Sequence, residues 1–241
     1  DDEKGRGNLY FELERIMKEK KPSIVLLENV KNLVGHDNGR TFRLIRSSMQ
    51  NLGYKIHHKV MNACEYGGIP QNRERIYVVG FLDISISDSF EFPDKIELET
   101  TIGEILDFDE IVDERYYYRE DSYMYEDLER EMTSIETVYQ WRRKYVRENK
   151  SNLCPTLTAN MGTGGHNVPL ILTPHGIRKL TPKECFMIQG YDRTFELPDE
   201  VANSHLYKQA GNSVAVPVIK RIASSIMSAI KLERPALNSR A

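Results

Sequence analysis

The chain has 241 residues, 40% of them hydrophobic, with a formal net charge of −3, which suffices for one large or two small domains with cores that need no disulfides. That charge lacks the basic excess of small nucleic-acid binders, and three cysteines (Cys64, Cys154, Cys185) without CxxC or Cys/His spacing argue against a disulfide scaffold or a zinc site. No run approaches the roughly 18 to 20 uninterrupted apolar residues of a membrane helix, and no signal-like segment opens the chain, so the expectation is a cytoplasmic protein with no membrane and no metal.

In chain order, "NLYFELERIMKEKKP" has apolar residues at 9, 13, 16 and 17 before Pro22 and predicts a helix. "SIVLL" predicts a short buried strand. "GRTFRLIRSSMQNLGY" places Phe42, Ile45, Met49 and Leu52 on one helical face, with Gly53 as the residue after the helix. "YKIHHKVMN" and "RIYVVGF" predict two more strands. Helices alternating with short strands imply an α/β sheet with helical crossovers, at least partly parallel.

The rhythm fades after Phe81. Between Glu104 and Glu131 twelve acidic residues face three arginines, whereas Gln140 to Lys150 carries Arg142, Arg143, Lys144, Arg147 and Lys150 against Glu148. Both runs suit solvated helix faces, and a polyanion would meet only the second. "TSIETVYQWRRKYVRENK" predicts a helix, and the glycines of "TANMGTGGHNVP" exclude one. "TPKECFMIQG" opens with a capping box, Thr181 to Glu184, has Pro182 at the first helical position and closes with Gly190. After a loop at "AGNS", Val214, Val218, Ile222, Ile226 and Ile230 at fourfold spacing predict a long amphipathic helix, with Pro217 harmless in its first turn.

Ligands of open α/β sheets bind at the carboxyl ends of strands, where Glu28 follows "SIVLL". A carboxyl there, beside apolar walls, could act as an acid toward a ligand nitrogen. An edge carboxylate in a salt bridge is the simpler alternative. Gln71, Arg73 and Arg75 in "IPQNRERIYVVGF" are spaced i, i+2, i+4 and would project to one side of an extended segment, facing a cleft. Arginine forks there suit phosphates or carbonyl oxygens.

Together "ENV", "QNRER", "RKLTPKECFMIQGY" and "YKQAGNSVAVPVI" resemble, in order and spacing, the cytosine-C5 DNA methyltransferases, from "RGNLYF" to "NSVAVPVI". The resemblance implies an α/β fold: the C-terminal half of a Rossmann-like S-adenosylmethionine-dependent methyltransferase sheet plus a smaller, irregular target-recognition domain. The expected division is 1–103 for the catalytic half, 104–206 for target recognition, 207–234 for a helix returning to the catalytic domain and 235–241 for a tail.

The resemblance further implies catalytic roles for Glu28, at N3 and the exocyclic amine of a flipped cytosine, for Arg75 at the base's O2, and for Arg73 near the base or backbone. Leu9, Asn212, Ser213 and Val214 would line the S-adenosyl-L-methionine pocket. Gln71, Thr156, Thr158, Asn160, Gly162 and Gly164 would contact double-stranded DNA. Stacked bases hide the reacting C6, so the target cytosine must rotate out of the duplex.

The family's nucleophile lies in a Pro-Cys loop that this sequence lacks, as it lacks the glycine-rich cofactor loop. The three cysteines suit small hydrophobes instead. The expectation is therefore a component of a DNA (cytosine-5)-methyltransferase of the bacterial restriction-modification type, nucleoid-associated, inactive alone and completed by a missing N-terminal part of one longer chain or by an N-terminal methyltransferase polypeptide carrying the Pro-Cys loop. The alternatives are a non-catalytic DNA-recognition or regulatory subunit and a tRNA cytosine-5 methyltransferase.

Overall fold

The structure is a computed structural model that describes residues 9–142, 144–149, 151–162 and 168–234. The expected tail at 235–241 lies outside the described residues. In chain order the elements are α1 (Leu9–Lys20), β1 (Ile24–Val30), α2 (Arg40–Asn51), β2 (Lys55–Asn62), α3 (Ala63–Tyr66), β3 (Gln71–Asn72), β4 (Glu74–Phe81), α4 (Ile84–Asp88) and α5 (Ile102–Ile105). There follow α6 (Tyr125–Glu131), β5 (Tyr139–Trp141), β6 (Val146–Glu148), β7 (Cys154–Pro155), β8 (Leu170–Thr173), β9 (Gly176–Lys179), α7 (Pro182–Ile188), α8 (Asn203–Asn212) and α9 (Val216–Glu233).

The described residues separate into two compact units that are not contiguous in sequence. One holds 9–61, 74–93 and 221–234, the other 62–73 and 94–220. This differs from the expected 1–103, 104–206 and 207–234 division for a definite reason. Strand β3 pairs in parallel with β7, Gln71 opposite Cys154 and Asn72 opposite Pro155, which draws 62–73 into the second unit, and α8 packs there too.

In the first unit the strand order is β1-β4-β2. β1 runs antiparallel to β4, from Ile24 opposite Phe81 to Val30 opposite Arg75. β4, not the crossover-linked β2, lies beside β1, so within a sheet expected to be at least partly parallel this pair is antiparallel. Helices α1 and α2 form as their apolar spacing predicts. They are joined by Tyr10 Oη donating to the Ile45 carbonyl (3.1 Å) and Ser48 Oγ donating to Glu14 (2.7 Å). Met17, Val25, Phe42, Met49, Tyr54, Ile76 and Val78 make the core beneath them, each large apolar side chain contributing about 1.5–3 kcal/mol on full burial. Gly53 ends this helical turn at φ 94°, a left-handed conformation that glycine adopts without a Cβ clash.

In the second unit a four-stranded sheet has the order β6-β5-β8-β9. The helix expected over 133–150 is therefore replaced by a hairpin, with Tyr139 opposite Glu148 and Trp141 opposite Val146. The reason is tertiary. β5 also pairs with β8, Tyr139 opposite Leu170, and Tyr139, Trp141, Leu170 and Ile177 share a core with Met124, Leu128 and Met132 of the α6 region. A larger core gathers Ile102, Leu157, Met161, Ile188, Tyr207 and Ala210.

Helix α7 starts as its sequence predicts: Thr181 Oγ1 accepts from the Glu184 amide and Glu184 accepts from the Thr181 amide. The "AGNS" segment expected as a loop is instead the last turn of α8 as far as Asn212. Residues 213–215 break the helix before α9 begins, so the Asn203–Glu233 stretch, which contains an 18-residue window of mean hydropathy 1.4, is not one uninterrupted helix.

Candidate active site

In the first unit the strand ladder brings Glu28 and Arg75 together. Glu28 stands opposite Tyr77, and Arg75 opposite Val30, so the two are diagonal neighbours on one face, within reach of long side chains. Glu28 Oε1 lies 3.1 Å from Arg75 Nε, with the side chains 23% and 12% exposed. Arg75 Nη1 donates to the Glu74 carbonyl at 2.9 Å. The acid and the fork are thus a mutually oriented pair, partly shielded from water, at the end of β1. This geometry combines both alternatives for Glu28, because the salt bridge forms within the strand-end site rather than in place of it.

Glu28 also lines a cavity of about 930 Å³ with Leu9, Tyr10, Phe11, Leu26, Leu33 and Leu44. Leu9 is 67% exposed, Phe11 63% and Leu44 62%. Among the described residues β1 pairs on one side only, so an unpaired strand edge adjoins an apolar cavity in this unit. Such an edge favours pairing with further chain.

In the second unit the arginine motif departs from expectation. The amide of Arg73 donates to the Gln71 carbonyl (3.1 Å) and to Asn62 Oδ1 (2.9 Å), a kink that interrupts the extended segment between β3 and β4. Gln71, Arg73 and Arg75 therefore do not share one face on a cleft. Gln71 is fully buried and donates to the Ile188 carbonyl at 3.3 Å. Arg73, 3% exposed, donates to three carbonyls: Leu157 at 2.9 Å, Gly211 at 3.2 Å and Ser213 at 2.6 Å.

Those carbonyls belong to the two segments expected to meet the ligands. Thr156 Oγ1 donates to the Asn72 carbonyl (2.6 Å), and Thr158 Oγ1 donates to Asn160 Oδ1 (2.6 Å). Thr156 and Thr158 are half-buried and Asn160 is exposed. Gly162 closes the 3-10 turn Ala159–Gly162, and Gly164 lies outside the described residues. On the other segment Asn212 is exposed at the end of α8, Ser213 and Val214 are half-buried, and Ser213 Oγ donates to the Ala210 carbonyl (2.9 Å). Asn212 and Ser213 share a cavity of about 430 Å³ with His205, Lys208 and Gln209. An exposed amide and a hydroxyl that can still accept fit the polar part of a nucleoside-type ligand. Leu9 lines the separate apolar cavity of the first unit.

None of the cysteines has the environment of a nucleophile. Cys154 and Cys185 are fully buried and Cys64 nearly so. Burial pushes all three thiols up, helped at Cys185 by Cys154 and at Cys64 by Glu65, the opposite of the lowered value an attacking thiolate needs. The sequence missed His205, Lys208 and Gln209 beside Asn212 because no helix was expected there. Of the basic residues at 140–150, Arg142, Lys144 and Arg147 are exposed on or beside strands β5 and β6, and Arg143 and Lys150 lie outside the described residues.

Comparison with known proteins bears on the family and the fold. The C-5 cytosine-specific DNA methylase family model matches residues 1–228. The Type II methyltransferase M.Bsp6I of Bacillus sp. (strain RFL6) is 60% identical over 227 residues, covering 94% of this chain and 71% of that protein. M.HaeII of Haemophilus aegyptius is 39% identical over 229 residues, 94% of this chain and 68% of that protein. Among solved structures, the Entamoeba histolytica methyltransferase EhMeth superposes with a TM-score of 0.69 at 20% identity, covering 94% of this chain and 70% of that one. A Spodoptera frugiperda DNMT2 mutant superposes with a TM-score of 0.67 at 17% identity, covering 94% and 73%. The two structural likenesses establish the fold.

Proposed function

This chain belongs to the C-5 cytosine-specific DNA methylases, and on that premise we propose that it is the base-holding and DNA-contacting component of a DNA (cytosine-5)-methyltransferase. The observation that carries the proposal is the Glu28–Arg75 pair at the end of β1. Relatives carrying the Type II methyltransferase name support a restriction-modification role, acting on chromosomal DNA in the bacterial cytoplasm.

S-adenosyl-L-methionine, the family's methyl donor, supplies an electrophilic methyl group. Asn212, Ser213 and Val214, with Leu9, are the residues assigned to hold it. C5 of cytosine is a poor nucleophile until a thiolate adds at C6. Glu28 assists that addition by donating a proton to N3, which disperses the developing charge. Arg75, oriented by Glu28, holds O2. C5 would then take the methyl group from the bound donor, which would leave as S-adenosylhomocysteine; the C5 proton would pass to a base, the thiolate would leave C6, and the N3 proton would return to Glu28, restoring the ring. Thr156, Thr158, Asn160, Gly162 and Gly164 are assigned to the DNA backbone or bases. Gln71 and Arg73, both buried, would act by supporting that segment.

The thiolate step has no donor among Cys64, Cys154 and Cys185, so it is assigned to a Pro-Cys loop in an N-terminal part of the same protein or on a partner polypeptide. The edge of β1 that is unpaired among the described residues, and the apolar cavity beside it, support such a covering element. Without it the chain is expected to be inactive. In the completed enzyme, labelled S-adenosylmethionine should transfer its methyl group to duplex DNA and not to tRNA. Glu28→Gln should lower transfer by roughly 10²-fold or more while DNA binding persists. Transfer to tRNA alone would identify an RNA methyltransferase, and no transfer with intact DNA binding would leave a recognition subunit. Full activity of Glu28→Gln would overturn the assigned role.

A further inference from the structure

We infer that Arg73 is a positioning residue that locks the cofactor turn and the DNA-contacting segment into one rigid piece, an inference that rests on the methyltransferase assignment above. Its guanidinium donates to the Leu157 carbonyl on the segment that continues into Thr158 and Asn160, and to the Gly211 and Ser213 carbonyls that bracket Asn212. Three carbonyls gathered by one cation leave it no fork to offer a base. Gly211 brings the two backbones into direct contact, since a Cβ there would fall 2.2 Å from the Thr158 carbonyl carbon and oxygen. Only glycine tolerates that approach.

The consequence is a shared mechanical origin for two ligand sites. A shift of the Ser213 carbonyl moves Asn212 and Val214, and the same guanidinium then releases Leu157. Charged hydrogen bonds to buried carbonyls are stronger than neutral ones, and lysine, with a single nitrogen and no planar fork, cannot span three acceptors in the same geometry. The kink that aims Arg73 at this junction is held by Asn62, whose Oδ1 accepts the Arg73 amide at 2.9 Å.

The test uses the completed enzyme, duplex DNA and S-adenosylmethionine. Arg73→Lys should raise KM for both ligands together by about tenfold, the scale of one lost charged hydrogen bond, with kcat changed by less than about threefold. Arg73→Ala should go further, so that lysine is a partial rescue. Asn62→Ala loosens the kink without touching the guanidinium, and should move both KM values in the same direction, which keeps the test open if an Arg73 variant does not fold. A fall in kcat with both KM values unchanged would overturn the inference and make Arg73 a base contact. A rise in only one KM, or a lowered Tm with neither KM changed, would also overturn it. Absence of transfer by the unmodified enzyme would instead sink the methyltransferase assignment itself.

Discussion

Glu28 Oε1 and Arg75 Nε lie 3.1 Å apart across a diagonal of the β1–β4 ladder, so each side chain orients the other through the register of two strands. The pair should therefore act as a unit. Arg75→Lys keeps the charge but loses the Nε donor and the fork. It should lower kcat/KM by roughly 10²-fold or more, the lower end of the range for a positioned acid. In a double-mutant cycle with Glu28→Gln the losses should be strongly non-additive, the double variant falling close to the worse single one. Additive losses would mean that the two groups work separately.

A second pair is structural. Arg178 and Glu184 are almost completely buried and bonded twice, Nη1 to Oε2 and Nη2 to Oε1, both at 2.8 Å, while Glu184 also accepts the Thr181 amide that opens α7. Removing one partner leaves an uncompensated buried charge. Glu184→Ala should cost about 3–5 kcal/mol in denaturant unfolding, and a loss under 1 kcal/mol would show that water or relaxation rescues Arg178.

Stability should also depend on pH near neutrality. Burial, with Lys55 as the next cause, lowers the His57 pKa, and burial, with Arg46 and then His57, lowers that of His58. His57 accepts or donates to Ser87 Oγ at 2.8 Å and packs edge-on against Phe81 and Phe90, near Asp88. His58 meets Phe42 in the same way. Because the folded values lie below the unfolded one of about 6.5, the unfolded state binds more protons at acidic pH. Their contribution is complete above pH 6.5 and is lost as pH falls through the folded values. Urea midpoints should drop between pH 7.5 and 5.5, and His57→Phe should flatten that slope.

The β5–β6 hairpin exposes Arg142, Lys144 and Arg147. If it meets phosphates, Arg142→Ala and Lys144→Ala should weaken duplex binding equally on all sequences and each reduce the salt slope by about 1. A change confined to one sequence would mark base readout instead.

The sequence was legible wherever information was local. The apolar spacing of α1 and α2, the strands β1, β2 and β4, and the box opening α7 were all readable from nearest neighbours along the chain. The 133–150 segment was not. Its hydrophobic residues fit a helix by composition, yet Tyr139 and Trp141 become strand residues through partners at Leu170 and Ile177, about 30 residues or more away in sequence. Helix α8 was hidden because Gly211 and Asn212 disfavour helices, and Gly211 is required there by the Thr158 backbone it touches.

The candidate site divides in the same way. By itself the sequence determined the family and singled out the acid and the arginines as candidates, because those motifs are contiguous and ordered. Which arginine faces which partner was decided by tertiary structure alone. Alternation along a strand assigns sides only while the strand continues, and the Gln71–Arg73 kink ends it, turning Arg73 toward the carbonyls of Leu157, Gly211 and Ser213 while Arg75 keeps its place beside Glu28 in the ladder.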